Sequence, residues 1–328
     1  MNRVTIKEVA KLANVSIATV SRVINNINTV TSENKEKVNA AIEELNYFSN
    51  KTAANLKKNS SNIIGIIIPT LANEFFMQLI KGIEDHFNRS DYVFYIASSD
   101  DNPQKEESIL RKLYESNAEI IVLATIGYNE SFIKELVKMG TKIITVDRLI
   151  DIKPRIDFVG ESNNKSAYEL TIKFLETTTV KEIALLGGYE YLSIGYERIQ
   201  GVKKALGEKN IPFHYYDGQY NEKNAKKIFS KIRTDFPNGC GIISLSNTMT
   251  SGIITEMYEN FSDKDRVLYP IASYGQITFQ QIFSKNIITF VKQNPYELGI
   301  EVASLLQEKL EITDSNTVVT KILTNIIE

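Results

Sequence analysis

The chain has 328 residues, 43% hydrophobic and 24% charged, with a formal net charge of −2. That length admits more than one domain and a sizeable core. The balance is that of an ordinary soluble globular protein and excludes a chain that is basic throughout. Charge is unevenly placed: residues 1–60 hold nine Lys/Arg against five acids, net +4, and the remainder holds 29 against 35, net −6. A basic head on an acidic body implies that the head alone meets a polyanion. Cys240 is the only cysteine, so no intrachain disulfide can form, which fits a reducing compartment. Residues 1–10 lack the apolar run of a secretory signal, and runs such as 63–69 are far shorter than the ~20 residues of a spanning helix. The expected place is the cytoplasm, with no membrane partner.

Three short helices are predicted first. Thr5 and Glu8 have the spacing of a capping box, and Ile6, Val9, Ala10 and Leu12 follow at helical spacing. Asn14 breaks that pattern. Ser16 can cap a second helix that carries Val20, Val23 and Ile24 inward. Thr31 or Ser32 can cap a third, with Val38, Ala41, Ile42 and Leu45 inward and Asn46 as its stop. A tight turn between the first two makes a helix-turn-helix. In that motif the second helix lies in the major groove. Ser16, Ile17, Ala18, Thr19, Ser21 and Arg22 would then reach the DNA. Arg22 suits a bidentate contact to guanine, and Ile17 and Ala18 suit a thymine methyl. The hydroxyls of Ser16, Thr19 and Ser21 suit phosphates. Periodicity alone leaves a generic three-helix bundle open.

The strings Val4-Thr5-Ile6-Lys7-Glu8-Val9-Ala10, Val15-Ser16 and Ala18-Thr19-Val20-Ser21-Arg22-Val23-Ile24-Asn25 closely resemble the DNA-binding head of the lactose/galactose-repressor (LacI/GalR) family. So does Ala40-Ala41-Ile42-Glu43-Glu44-Leu45-Asn46-Tyr47. The resemblance adds Thr5, Asn25 and Tyr47 to the DNA-binding set. It implies a regulator, most simply a repressor, that binds a pseudopalindromic double-stranded operator as a homodimer.

Residues 49–62 read as a linker whose first part could form about two turns of helix, too short to be stable alone. The resemblance implies a hinge helix that forms on DNA, with Asn50, Ala53 and Leu56 in the minor groove and Leu56 wedged between base steps. The family's usual proline is Ser49 here, and Lys51 and Thr52 replace small or apolar residues. Without the resemblance, Leu56 reads as a packed linker leucine.

From Ile63 short apolar runs alternate with amphipathic stretches. Strands are expected at 63–68, 93–97, 120–124, 142–146, 158–159, 183–186, 241–245 and 269–272. Helices are expected at 74–88, 104–116, 131–139, 165–176, 199–208 and 221–233. This alternation implies parallel α/β sheets, and the length implies two Rossmann-like subdomains with ligands at the strand carboxyl ends. Asn73-Glu74-Phe75-Phe76, Thr145-Val146-Asp147-Arg148, Arg198-Ile199-Gln200-Gly201 and Gln293-Asn294-Pro295 continue the family resemblance. The implied fold is an all-α head on a core similar to periplasmic sugar-binding proteins. The expected boundaries are 1–48 for the head, 49–62 for the hinge and 63–328 for a core that binds ligand and dimerises. Within the core, an N-subdomain takes 63–161 plus 289–317 and a C-subdomain takes 162–288 plus 318–328.

The resemblance places Arg198 in the ligand cleft, where its fork of donors suits hydroxyls, carboxylates or phosphates; the alternative is a surface ion pair with Glu197. Asn73, Phe75, Arg148, Tyr128 and Tyr189 are further candidates, with core packing open for Phe75 and a plain surface role open for the tyrosines. Ser162, Asn247 and Gly275 stand where sugar-responsive relatives commonly carry aspartates. That points to a less acidic cleft and to a modified or phosphorylated sugar, or another anionic or carbonyl compound, as effector. An enzyme is not expected: His86 and His214, the only histidines, have no metal or triad partner in sequence, and Cys240 reads as a buried strand-end residue. No cofactor and no metal are implied. A free-standing transport-type binding protein is the rival reading, opposed by the sixty-residue head. No leucine-heptad tail follows the last strand expected, 318–323, which leaves a two-fold dimer as the expected assembly.

Overall fold

The computed structural model describes residues 4–24, 27, 29–47, 61–88, 90–276, 286–311 and 317–328. The chain divides into two units, Met1–Ser61 and Asn62–Glu328.

The first unit holds α1 (Ile6–Leu12), α2 (Ile17–Ile24) and α3 (Ser32–Glu44). Each start has a chemical cause. The Glu8 carboxylate accepts the Thr5 backbone N–H at 2.6 Å and its hydroxyl at 2.8 Å. Ser16 Oγ accepts from Thr19 N–H at 3.1 Å, and Thr31 Oγ1 from Asn34 N–H at 3.4 Å. Asn14 and Asn46 turn the chain at positive φ, which asparagine tolerates better than most residues. Asn46 ends α3 as expected, with Tyr47 N–H bonded back to Ile42 O. Val9, Ala10, Ala13, Val20, Val23, Val38 and Ala41 form the small core. Leu12, at the same helical spacing as Val9, is exposed.

The second unit contains two six-stranded sheets. The first orders β2 (Val93–Ser98), β1 (Ile63–Ile68), β3 (Ile120–Leu123), β4 (Lys142–Val146), β5 (Asp157–Glu161) and β11 (Thr320–Leu323). The second orders β7 (Phe213–Asp217), β6 (Ile183–Gly187), β8 (Gly241–Ser244), β9 (Ile271–Tyr274), β10 (Ile287–Lys292) and β12 (Ile326–Ile327). All neighbours run parallel except β10 and β12. Helices cover both faces of the first sheet, and strand parity shows it. Ile64, Ile66 and Ile68 enter one core with α4 (Glu74–His86) and α12 (Pro295–Glu311), while Ile67 enters another with α5 (Pro103–Glu115) and α6 (Glu130–Lys138). Burying each such side chain is worth roughly 1.5–3 kcal/mol. Helices α4 and α12 cross at Gly82 and Gly299, where a Cβ on either would strike the other's backbone. The second sheet carries α7 (Asn163–Thr177), α8 (Ser193–Glu208), α9 (Glu222–Asp235), α10 (Asn247–Asn260) and the short α11 (Asp263–Arg266).

Two expected boundaries move. The chain crosses between subdomains after Glu161, but crosses back after Lys292 and not at Ile288. Strand β10 pairs with β9 through Thr289–Ala272, Phe290–Ser273 and Val291–Tyr274, so residues 289–292 belong to the C-subdomain. Likewise 320–323 belong to the N-subdomain, since β11 supplies β5 with its outer partner from Phe158 to Glu161. Val319 N–H bonds to Asp157 at 2.8 Å, and the buried Lys309 pairs with Asp157 at 3.2 Å, fixing that return. Among the described residues no helix is long and apolar enough to cross a membrane.

Candidate functional site

In the first unit, α2 presents one outward face. Ser16, Ile17, Ala18 and Arg22 are exposed and Thr19 and Ser21 half-buried, while Val20 and Val23 hold the helix to the core. The sequence expectation that Ser16 and Thr19 serve phosphates needs refining: Ser16 Oγ caps α2 and lies 2.9 Å from Thr19 Oγ1. Thr5 is likewise bonded to Glu8, and those bonds, its backbone N–H first, hold the Glu8 carboxyl below its usual range. Tyr47 is half-buried against the head's core. Asn25, Asn50, Ala53 and Leu56 lie outside the described residues.

In the second unit, the carboxyl ends of both sheets face one cleft. Its lining includes Asn73, Phe75, Arg148, Arg198 and Asn247, gathered from four separate segments of the chain. Asn73 caps α4 through its side-chain oxygen, accepting from Phe75 N–H at 3.0 Å. Its amide reaches across to Asn247 Oδ1 at 3.5 Å and Thr248 Oγ1 at 3.4 Å, and Asn247 Nδ2 donates back at 3.3 Å. The two walls therefore touch, helix start to helix start. The cavity that these residues help to line is small, about 90 Å³.

Arg198 is 5% exposed. Its Nε donates to Asn163 Oδ1 at 2.7 Å, its Nη1 to Leu245 O at 3.0 Å, and its guanidinium lies 3.8 Å from the centre of the Tyr274 ring. The surface pair with Glu197 is thus set aside. Arg148, also buried, donates through Nη1 to Asp101 Oδ1 at 2.7 Å and to Thr125 O at 3.2 Å. Phe75 serves both readings given to it: it lines the cleft and packs edge-on against Phe76. Tyr128 and Tyr189 do not line the cleft. They belong to an aromatic row, Tyr128–Tyr191–Tyr189–Tyr220, of which Tyr220 faces inward. Ser162 stands at the first crossing, at the start of α7, and does not line the cleft either.

Acids do line the cleft, at positions other than 162, 247 and 275. Asp101 and Asp147 line it, from the loop after β2 and the end of β4. Burial pushes the Asp147 carboxyl up, against the pull of Arg198 and Arg148. Behind them Glu161 is pushed up to about 7, chiefly by burial, despite a hydrogen bond from Gln293 Nε2. That bond joins the first crossing to the second, and Asn325, at the third, donates to Ser166 Oγ and Tyr274 Oη. Glu106, fully buried, accepts from Thr125, Ile126 and Asn129 and shapes the loop that carries Tyr128. Asp101, Asp147, Tyr220 and Gln293 were not among the expected ligand residues. Asp147 was within reach, since it precedes Arg148 at a strand's end, where ligand loops gather.

Cys240, His86 and His214, weighed in the sequence for catalysis, each have another setting. Burial pushes the Cys240 thiol up to about 12, His86 bonds Gln307, and His214 packs on Phe236. Among the described residues no cluster of His, Cys, Asp and Glu could hold a metal ion.

Comparison with known proteins agrees with both units. The description "Bacterial regulatory proteins, lacI family" matches residues 5–50, and "Periplasmic binding protein domain" matches residues 64–313. Catabolite control protein A of Staphylococcus aureus (strain N315) is 30% identical over 254 residues, 76% of this chain and 76% of that protein. The chain belongs to the LacI family. The ribose operon repressor of Bacillus subtilis (strain 168), another LacI-family relative, is 28% identical over 303 residues, 92% of this chain and 90% of that protein. In fold, the Lac repressor dimer bound to operator and the anti-inducer ONPF matches with a TM-score of 0.82 at 20% identity, covering 99% of this chain and 98% of that one. As a LacI-family member the chain is a DNA-binding transcription regulator and not an enzyme, and the transport-type reading falls to the matched head.

Proposed function

We propose that this regulator represses transcription in the cytoplasm by binding a pseudopalindromic DNA site as a homodimer, under the control of a small polar effector held between its core subdomains. The reading rests on one observation: a chain whose head exposes the outer face of α2 also carries a narrow cleft lined by two buried arginines and a buried aspartate. A ligand that bridges two walls favours one spacing of them, because only differential affinity shifts such an equilibrium. The names of the relatives support a sugar or sugar derivative as the effector, the ribose operon repressor foremost. Edge strand β2 exposes Val93, Tyr95 and Ile96, which supports a second copy of the chain as partner. The head domain of 1–48, the hinge of 49–62 and its wedge residue Leu56 remain part of the proposal. The test is selection of duplexes by the full-length protein from a random pool. A consensus with two-fold symmetry is expected; equal affinity for every duplex at moderate salt would contradict it.

A further inference from the structure

The cleft contains more hydrogen-bond donors than its own acceptors satisfy. Among the described residues, the Tyr220 hydroxyl and Arg148 Nε are buried and have no hydrogen-bond partner. Both residues line the cleft, one from each wall. Leaving a buried donor unpaired is costly, and the ion pair of Arg148 with Asp101 occupies Nη1 and leaves Nε over. The same corner holds the start of α8. Its capping residue is Leu192, whose side chain accepts nothing. The amides of Ser193, Ile194 and Gly195 therefore have no partner within the helix. The Tyr220 ring lies over Gly188 and brings its hydroxyl to the first turn of α8, 3.3 Å from where a Cβ on Gly195 would stand. Leu149 N–H bonds Ser193 Oγ at 2.8 Å, which holds the residue after Arg148 against the same turn. Donors from three elements thus converge on one helix N-terminus, a place that favours negative charge. Arg198, whose Nε and Nη1 are bonded to neutral acceptors, adds positive charge to the same lining.

We infer that the effector carries an oxyanion, carboxylate or phosphate, which docks at the N-terminus of α8 between Arg148 Nε and the Tyr220 hydroxyl and so ties one wall of the cleft to the other. This rests on the reading of the cleft as the effector site. Asp147, an acceptor on the same lining, is left for the hydroxyls of the same ligand.

The experiment is calorimetry and thermal melting of the full-length protein with D-glucose, D-gluconate and D-glucose 6-phosphate, and with D-ribose and D-ribose 5-phosphate. The variants are Tyr220→Phe and Arg148→Lys, the second keeping a cation for Asp101 while removing Nε. In the absence of ligand, Tyr220→Phe is expected to melt at or above the wild-type temperature, because it deletes an unpaired buried group. At least one anionic probe is expected to bind tenfold or more tightly than its neutral parent, the carboxylate and phosphate arms telling the two sources apart. Both variants are expected to lose at least tenfold in affinity for that probe and little for the neutral sugar. A marked drop in the ligand-free melting temperature of Tyr220→Phe, neutral sugars that bind as tightly as the anions, or variants that bind like wild type would overturn the oxyanion site alone. Wild-type protein that binds no probe in the set would overturn the effector reading beneath it.

Discussion

The head and the core carry their functions in opposite ways. In the head, the residues expected to read bases occupy a single stretch, Ile17 to Arg22, on one helix, and the cap of that helix is made locally by Ser16 and Thr19. In the core, the cleft draws on residues from Pro69 to Gln293, and its cations and acids lie on different strand ends. A reading surface can be local because its partner, DNA, supplies the other half of every contact. A sensing site is non-local because it must register the relative position of two bodies. The head is accordingly satisfied within itself, while the core holds buried charges that depend on distant partners.

Removing one of those partners should have the largest effect. Arg198→Ala leaves Leu245 O without its side-chain donor, leaves Asn163 Oδ1 with the Tyr274 hydroxyl alone, and leaves Asp147 and Glu161 without a cation that favours their ionised forms. A buried acceptor left without its donor costs roughly 1–3 kcal/mol, to which the lost cation adds. In a thermal melt the core transition should fall steeply while the head transition stays in place. Equal losses in both transitions would break the contrast between the units. Arg198→Ala is for this reason a poor probe of ligand binding alone, and Arg198→Lys, which keeps the charge, serves better.

Glu161 gives the next effect. Its carboxyl is raised from 4.5 to about 7 in the folded core. The folded state then holds a proton that the unfolded chain has released. The stability it contributes is fully present below 4.5 and is lost as pH rises through about 7, a change on the order of 3 kcal/mol. Denaturant melts of the core between pH 4.5 and 8 should show that decline, and Glu161→Gln should flatten it. Asp147, raised in the same direction, leaves a residual slope in the variant. An identical slope in both proteins would remove Glu161 from the junction of the crossings.

In the head the effects are small and confined. Ser16→Ala removes the cap of α2 and should lower head stability by about 1 kcal/mol, leaving the core transition unmoved. Because Ser16 Oγ is already bonded within the head, the same change should alter specific and non-specific DNA affinity alike. A change in base preference would show instead that Ser16 reads sequence.

The contrast also explains what the sequence made legible. The helix-turn-helix was readable because caps, turn residues and inward positions follow one another at fixed spacing, from Thr5 and Glu8 to Asn46. The strands β1 and β4 were readable to the residue, as apolar runs bounded by polar turns. Strand β7 was missed because His214, Tyr215 and Asp217 on an outer strand break the apolar run. Helix α10 was missed for want of a strong amphipathic pattern, since Met249, Thr250, Gly252, Ile253 and Ile254 are all buried. The second and third crossings were misplaced because which sheet a strand joins is decided by its neighbours, as Val291 beside Tyr274 shows. In the cleft, the resemblance brought out Arg198 and Asn73. The sequence reading weighed acids only at positions 162, 247 and 275, where this chain has none, whereas the fold brings Asp101 and Asp147 to the cleft, which no spacing rule links to Arg198.

Coupling between the two units is tested most directly by one titration. The duplex obtained by selection is titrated with full-length protein, in the absence and in the saturating presence of the probe that binds the cleft most tightly. A change of about 5- to 150-fold in DNA affinity is expected, matched by an equal change in probe affinity when DNA is bound. DNA affinity that stays the same with the cleft filled would contradict the coupling.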